Sequence, residues 1–276
     1  MKKRTMTEFQ GGGVIKNTYF SGKNNKHLPI TQYNDILFNI LGIIESNMKF
    51  KAFTMAEVLI TLGIIGIIAA MTLPTLIGQY QKQVTINKLK RSYTVIAQMF
   101  NMARKDYGDP SEWSFEFGEY GSDNFQTSLN NVVKTYFLPY LDVITDCGTY
   151  CKSVPYTYKY LNDKLVNDFN SRLFYTIVLK DGSVLFISVN NDGKRLFDLI
   201  VYVDINGFKK PNIVGKDVFC YYLNTSGAGK TNFWGLGSSR DVLINDNRGC
   251  NKNGYGQYCG ALIQYDGWQI KDDYPW

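Results

Sequence analysis

The stretch KAFTMAEVLITLGIIGIIAAMTLPTLIGQYQK, residues 51–82, decides the architecture of this chain. Between Phe53 and Gln81 the only charged residue is Glu57. The apolar core of the stretch, Phe53 to Ile77, contains 25 residues, which as an α-helix would extend over about 37 Å. The hydrocarbon core of a bilayer is about 30 Å thick. The sequence therefore predicts a tilted membrane-spanning helix over residues 53–81.

Glu57 is the unusual residue of this helix. An ionised carboxylate inside a membrane span costs about 2.5–3.5 kcal/mol on insertion scales, so it normally has a functional partner. The alternative is a plain signal anchor in which Glu57 has no further role. Basic residues on both sides leave the orientation ambiguous by charge alone; they are Lys49, Lys51, Lys82, Lys88, Lys90 and Arg91.

Residues 51–62, KAFTMAEVLITL, resemble the cleavage and methylation motif of prepilins, the precursors of type IV pilins and type II secretion pseudopilins. The resemblance implies that a prepilin peptidase cuts between Ala52 and Phe53 and methylates the new amine. A neighbouring subunit's Glu57 could then neutralise that amine inside lipid, which would fix the register between subunits. Pro74 matches the helix-bending proline of many pilins. The family usually has glycine before the cut, so Ala52 implies slower processing.

The same resemblance implies partners and a location. The partners are the peptidase, an inner-membrane assembly platform with its ATPase, and other pilin or pseudopilin subunits. The chain would be a single-pass protein of the bacterial inner membrane, with its globular part outside the cytoplasm. It would then enter a periplasmic or extracellular filament.

Residues 1–52 are interpreted as the leader. Met48 to Ala52 alone forms a complete short basic leader, so residues 1–47 are interpreted as an upstream start extension; a genuinely long leader is the alternative. The leader carries eight Lys/Arg and three Asp/Glu, and the rest of the chain carries 22 and 21. A nearly neutral globular part does not favour nucleic-acid binding.

An apolar stripe continues beyond the membrane segment, in a predicted helical stem over residues 82–106. Its members follow a 3-4-3-4-3 spacing, which places them on one helix face; they are Ile86, Leu89, Tyr93, Ile96, Phe100 and Ala103. This stripe is predicted to pack on a sheet. Gly108 and Pro110 are expected to end the helix.

Residues 107–276 are predicted to form a globular β domain. The predicted strands are Leu173–Lys180, Ser183–Val189, Leu196–Asp204, Asp217–Leu223 and a bent Ala261–Ile270, with a short helix near Leu129–Leu138 stopped by Pro139. Asp181-Gly182 is the hairpin turn between the first two strands. The predicted fold class is α+β and pilin-like, with a long N-terminal helix packed on an antiparallel sheet.

The loop after Asp204 contains a candidate metal site. Asp204, Asn206 and Asp217 offer oxygen atoms suited to Ca²⁺, and the surrounding sequence resembles a loop of pseudopilin-like proteins, some of which bind calcium. Asn206-Gly207 and Pro211-Asn212 are also ordinary turn sequences, so a plain turn is the alternative. No other cofactor is expected.

The five cysteines all follow the apolar run, which suits an oxidising compartment. Local bridges Cys147–Cys151 and Cys250–Cys259 are predicted, with Cys220 left in a strand; other pairings stay open. The only histidine, His27, lies in the leader. A mature chain starting at Phe53 would therefore lack histidine-based catalytic and metal sites, and no enzymatic activity is expected.

These features favour a structural subunit of a type II secretion pseudopilus or a type IV pilus. The alternative is a membrane-tethered or filament-tip domain for binding, adhesion or DNA uptake, which the size of the β domain leaves open. An anchored enzyme has no nucleophile–base pair or phosphate loop to support it.

Overall fold

A computed structural model describes residues 53–113, 118–155, 157–166, 169, 171–191, 196–224 and 231–275. The predicted leader, residues 1–52, lies outside these residues. The chain divides into two compact units, residues 1–66 and 67–276. The first unit contributes the start of a helix to the described residues, and the second contains a sheet and its covering elements.

Helix α1 runs from Met55 to Tyr107 over 53 residues, or about 80 Å. It includes most of the predicted membrane segment and the whole predicted stem. Gly108 follows with a φ of +83°, a left-handed conformation that glycine adopts without steric cost. Pro110 then begins a 3-10 turn, Pro110–Glu112. The predicted end of the helix is confirmed.

A second helical stretch begins earlier than predicted. Helix α2 is Asp123–Val132, and the Ser122 hydroxyl caps it by accepting a hydrogen bond from the Phe125 N–H. The stretch continues as a π-turn, Val133–Phe137, and a 3-10 turn, Leu138–Tyr140. Pro139 does not stop it because proline is tolerated in the first turn of a helical segment.

In the described part of the chain, six antiparallel strands form one sheet in the order β1-β2-β3-β4-β5-β6. Their bounds are Val143–Thr149, Tyr175–Leu179, Val184–Asn191, Leu196–Asp204, Val218–Asn224 and Thr231–Phe233. The four predicted strands between Leu173 and Leu223 are confirmed as β2 to β5. The edge strands β1 and β6 were not predicted.

The predicted strand at Ala261–Ile270 is wrong. This segment instead begins with helix α4, Cys259–Tyr265, which follows the short helix α3, Arg240–Asn245. Five consecutive residues of α4 are buried, so its sequence is apolar on every side and its period gives no signal. Gly267, with a φ of +76°, follows the helix in place of the predicted strand bend.

The larger of the two clusters of buried hydrophobic residues lies between α1 and one face of the sheet. Leu89, Ile96 and Phe100 of the predicted stripe have no exposed surface, and they share a cluster with strand residues such as Val201 and Tyr221. The Ser92 and Tyr221 hydroxyls lie 2.6 Å apart, which satisfies two buried polar groups across the helix–sheet boundary. The predicted packing of the stripe on the sheet is confirmed.

Candidate functional site

The first turn of α1 holds Glu57 in a capping box with Thr54. The Thr54 N–H donates to Glu57 Oε2 at 2.9 Å, and the Thr54 hydroxyl donates to the same oxygen at 3.0 Å. The Glu57 N–H donates back to the Thr54 hydroxyl oxygen at 3.2 Å. Each side chain thus satisfies a backbone N–H that the helix start leaves open.

Glu57 therefore has a role within its own chain, besides the predicted pairing with an amine of a neighbour. The Thr54-x-x-Glu57 spacing before an apolar run is the sequence signal that could have revealed this cap. Phe53 lies just outside the helix and is 81% exposed. Ala52, on the other side of the predicted cut, lies outside the described residues.

The apolar half of α1, Phe53 to Ile77, is left uncovered by the described residues. No side chain between Phe53 and Ile77 is buried. By length and composition α1 could cross a membrane. Pro74 lies inside this half, and α1 continues through it. An exposed apolar surface of this extent is typical of a segment that contacts a membrane or another protein.

The second candidate site lies at the end of β4, where Asp204, Asn206 and Asp217 come together. The Asn206 N–H donates to Asp204 Oδ1 at 3.0 Å, and the Asn206 side-chain amide donates to Asp217 Oδ2 at 3.1 Å. The Tyr158 hydroxyl donates to Asp204 Oδ2 at 2.6 Å. Tyr158 lies 46 residues earlier in the chain, and no local pattern in the sequence indicated it.

Two backbone N–H groups donate hydrogen bonds to the Asp217 carboxylate. The N–H of Asn212 donates to Oδ2 at 2.8 Å, and that of Ile213 donates to Oδ1 at 2.6 Å. Asp204 is fully buried and Asp217 is 5% exposed. The two carboxylates therefore close the loop that joins β4 to β5, and this structural role requires no cation.

The loop between β4 and β5 offers some of the oxygen ligands that a cation would need. Among the described residues no three Asp, Glu, Cys or His side chains lie close enough to hold a metal, so amide oxygens would have to complete a calcium shell. Asn206 Oδ1 and Asn212 Oδ1 are buried and accept no hydrogen bond from the described residues. These two oxygens and the two carboxylates are the ligands that this loop offers. Calcium binding stays a prediction.

Burial raises the pKa of Asp204 to about 8, and the nearby Asp217 carboxylate adds to the rise, while the hydrogen bond from Tyr158 opposes it. Burial also raises the pKa of Asp217, against hydrogen bonds from the Ile213 and Asn212 backbone. Both shifts mean that the folded protein holds protons that the unfolded chain releases at lower pH.

Stability without calcium should consequently fall as the pH rises. The contribution of Asp204 is fully present below the unfolded pKa of about 4 and is lost as the pH rises through about 8, at up to about 1.4 kcal/mol per pH unit. The free energy of unfolding, measured in denaturant with chelator present, should fall by about 2–4 kcal/mol between pH 5 and pH 8. Asp204→Asn should flatten this dependence, because the amide can accept from Asn206 and donate to the Tyr158 oxygen.

The same measurement tests calcium. Calcium requires ionised carboxylates, so millimolar calcium should restore the stability of the wild type at pH 8 and leave Asp204→Asn unchanged. Magnesium should do much less, because it demands a smaller octahedral shell. Identical unfolding curves with calcium and with chelator would exclude calcium from the loop. A pH dependence of undiminished size in Asp204→Asn would contradict the raised pKa of Asp204, whereas a smaller remaining dependence is expected from Asp217.

The cysteines of both predicted pairs lie together. The Cα atoms of Cys147 and Cys151 are 5.2 Å apart, and those of Cys250 and Cys259 are 4.8 Å apart, both within disulfide range. Cys220 is buried in β5 and is not bridged. Burial raises the pKa of its thiol, which keeps it protonated and unreactive.

Comparison with known proteins identifies a family without a known activity. The model of a family of unknown function (DUF6613) matches residues 75–276, and the chain therefore belongs to this family. No curated protein and no solved structure matches the chain. The matched region begins directly after Pro74, so it covers the stem and the sheet, while the Thr54–Glu57 turn precedes it.

Proposed function

We propose that this family member is a structural subunit of a type IV pilus or a type II secretion pseudopilus. A prepilin peptidase cuts it between Ala52 and Phe53, and the mature chain polymerises through the apolar half of α1. The observation that carries the proposal is the contrast along one helix. Its first half has no buried side chain and bears Glu57, while its second half packs one apolar face against a sheet.

The two halves of α1 suit two different surroundings. Phe53 to Ile77 offers an apolar surface with no buried side chain, which suits lipid before assembly and neighbouring helices after it. Leu89, Ile96 and Phe100 are fully covered by the sheet of the same chain. A subunit could therefore move from a bilayer into a filament by replacing the lipid around the first half of α1 with neighbouring helices. The packing of the second half of α1 on the sheet would stay intact.

The location and the remaining partners follow from the resemblance of residues 51–62. The subunit spans the bacterial inner membrane once, with the β domain outside the cytoplasm, and is then drawn into a filament. An assembly platform with its ATPase would supply the work of extraction, and other pilin or pseudopilin subunits would replace the lipid.

Processing at the predicted site tests this proposal. In cells that contain a prepilin peptidase, the membrane-bound and assembled protein should begin at Phe53, with a methylated amine. Ala52→Gly should be processed at least as fast, because glycine is the smallest residue. Ala52→Glu should accumulate uncut, because a large charged side chain does not fit where the motif has a small one. N-terminal sequencing and intact mass measure all three.

Ala69→Gly is the matched control, because it makes the same small change inside the helix and away from the cut. It should leave the N-terminus at Phe53. Assembled material that still carries Lys51-Ala52 would overturn the proposal.

A further inference from the structure

A basic groove lies beside α1 just beyond its apolar half. It has a volume of about 690 Å³ and is bounded by residues 78–88 of α1 and by the loop between β4 and β5. Val84, Ile205 and Pro211 give it apolar walls. Four lysines line it: Lys82, Lys88, Lys210 and Lys216. The groove thus combines an apolar surface with concentrated positive charge.

Few acidic groups face this charge. Among the described residues that line the groove, one is acidic, Asp217, and it is buried and held by the Asn212 and Ile213 N–H groups. Asp181, beside Lys88 in a neighbouring cavity, is paired with Arg91 at 3.0 Å. Lys82 lies 3.6 Å from Asp272, whose side chain is fully exposed. Exposed ion pairs of this kind are weak, so the lysine can exchange this partner for another anion. The groove therefore attracts a negatively charged ligand.

The position of the groove along α1 indicates where that ligand comes from. Lys82 is five residues beyond Ile77, or about 8 Å along the helix, and the polar headgroup layer of a bilayer is about 5–8 Å thick on each side. Tyr80 is 70% exposed between them, and tyrosine favours this interface. The end of the groove at Tyr80 and Lys82 is thus level with lipid phosphates when the apolar half spans a membrane, and Lys88 lies about 9 Å further along the helix.

We propose that this groove binds the phosphate headgroup of an anionic phospholipid. Lys82, Lys88 and Lys210 contact the phosphate through flexible side chains, and the glycerol lies against the apolar walls near Val84. The inference rests on the membrane placement of α1 in the proposed function. It does not depend on cleavage or on filament assembly.

The test uses the full chain in neutral detergent, titrated with phosphatidylglycerol and followed by native mass spectrometry. Each lysine near an anionic lipid headgroup changes affinity by about fivefold. Lys88→Gln/Lys210→Gln should therefore weaken phosphatidylglycerol binding by about 25-fold. The matched control, Lys152→Gln/Lys164→Gln, removes the same charge from two exposed lysines outside the groove and should bind like the wild type. Phosphatidylcholine should bind much more weakly than phosphatidylglycerol.

Several outcomes would overturn the inference. Equal affinity for the two lipids, or an equal loss of phosphatidylglycerol affinity in the two double variants, would show that the groove is not a lipid-binding site. Competition by soluble glycerol phosphate as strong as by the lipid would assign the groove to a free phosphate. If loss of Lys88 and Lys210 changed only self-association, the occupant would be a second copy of the chain.

The membrane placement is checked separately. The wild type should remain in phosphatidylcholine nanodiscs and resist extraction at high pH. A chain that is retained there but does not prefer phosphatidylglycerol would reject the groove and leave the proposed function standing. A chain that is not retained would reject the membrane placement on which both depend.

Discussion

Glu57→Leu should insert into the membrane normally and fail to assemble into filaments. Leucine is more favourable than glutamate in a span, so insertion does not suffer. In the assembled state, however, the amine at Phe53 would lose its partner, and an unpaired charge within an apolar core costs about 3 kcal/mol or more per subunit. Filament yield can be measured by shearing and sedimentation, with membrane extraction as the measure of insertion.

Two further variants separate the charge of Glu57 from its role as a cap. Thr54→Ala removes the hydroxyl that accepts from the Glu57 N–H, a loss of about 1 kcal/mol, but keeps the carboxylate; it should still assemble. Glu57→Gln keeps an oxygen that can cap the Thr54 N–H but removes the charge, and it should fail like the leucine variant. Normal filaments from Glu57→Leu, or failure of Thr54→Ala alone, would show that Glu57 acts only as a helix cap.

Phe100→Ala should destabilise the β domain strongly. Phe100 has no exposed surface, and its ring packs edge-on to Trp113 with centroids 6.3 Å apart. Truncating a buried phenylalanine costs about 3–5 kcal/mol, which for a domain of this size lowers the melting temperature by about 6–20 °C. Thermal unfolding of the full chain in mild detergent, followed by tryptophan fluorescence, measures this change.

Met102→Ala is the matched control on the same turn of α1. Met102 is 46% exposed, so its truncation should change the melting temperature by no more than a few degrees. Equal effects of the two substitutions would contradict the packing of the stripe on the sheet.

The fold could be predicted from the sequence in segments that have a single hydrophobic period. The stem has a single apolar face, so its 3-4 spacing could be interpreted directly, and β2 to β5 are separated by clear turns such as Asp181-Gly182. Edge strand β1 lacks such a pattern because it is partly exposed and its pairing with β2 shifts register twice, between Val143 and Thr145 and between Asp146 and Gly148. The first five residues of α4 are buried in succession, so neither helical nor strand periodicity could appear in them.

The candidate sites were predictable to the extent that they are local. Asp204, Asn206 and Asp217 belong to one loop, and their meeting follows from the hairpin-like return of β5 along β4. Tyr158 reaches Asp204 only through the tertiary fold, so its contribution could not be seen in the sequence. The capping box of Thr54 and Glu57 has a recognisable spacing in the sequence. The prediction for Glu57 rested instead on the cost of a charge inside a membrane.

The strand order of the sheet has a consequence for how the chain is made. Every strand pairs with its neighbours in sequence, so contacts are local and loop closure costs little entropy. A chain emerging N-terminus first from a ribosome or a translocation channel can add each strand to an edge that has already formed. The second half of α1 emerges before any strand and offers its apolar stripe as a template. Vectorial synthesis and final topology therefore run in the same direction, which shortens the time that unpaired strand edges are exposed to aggregation.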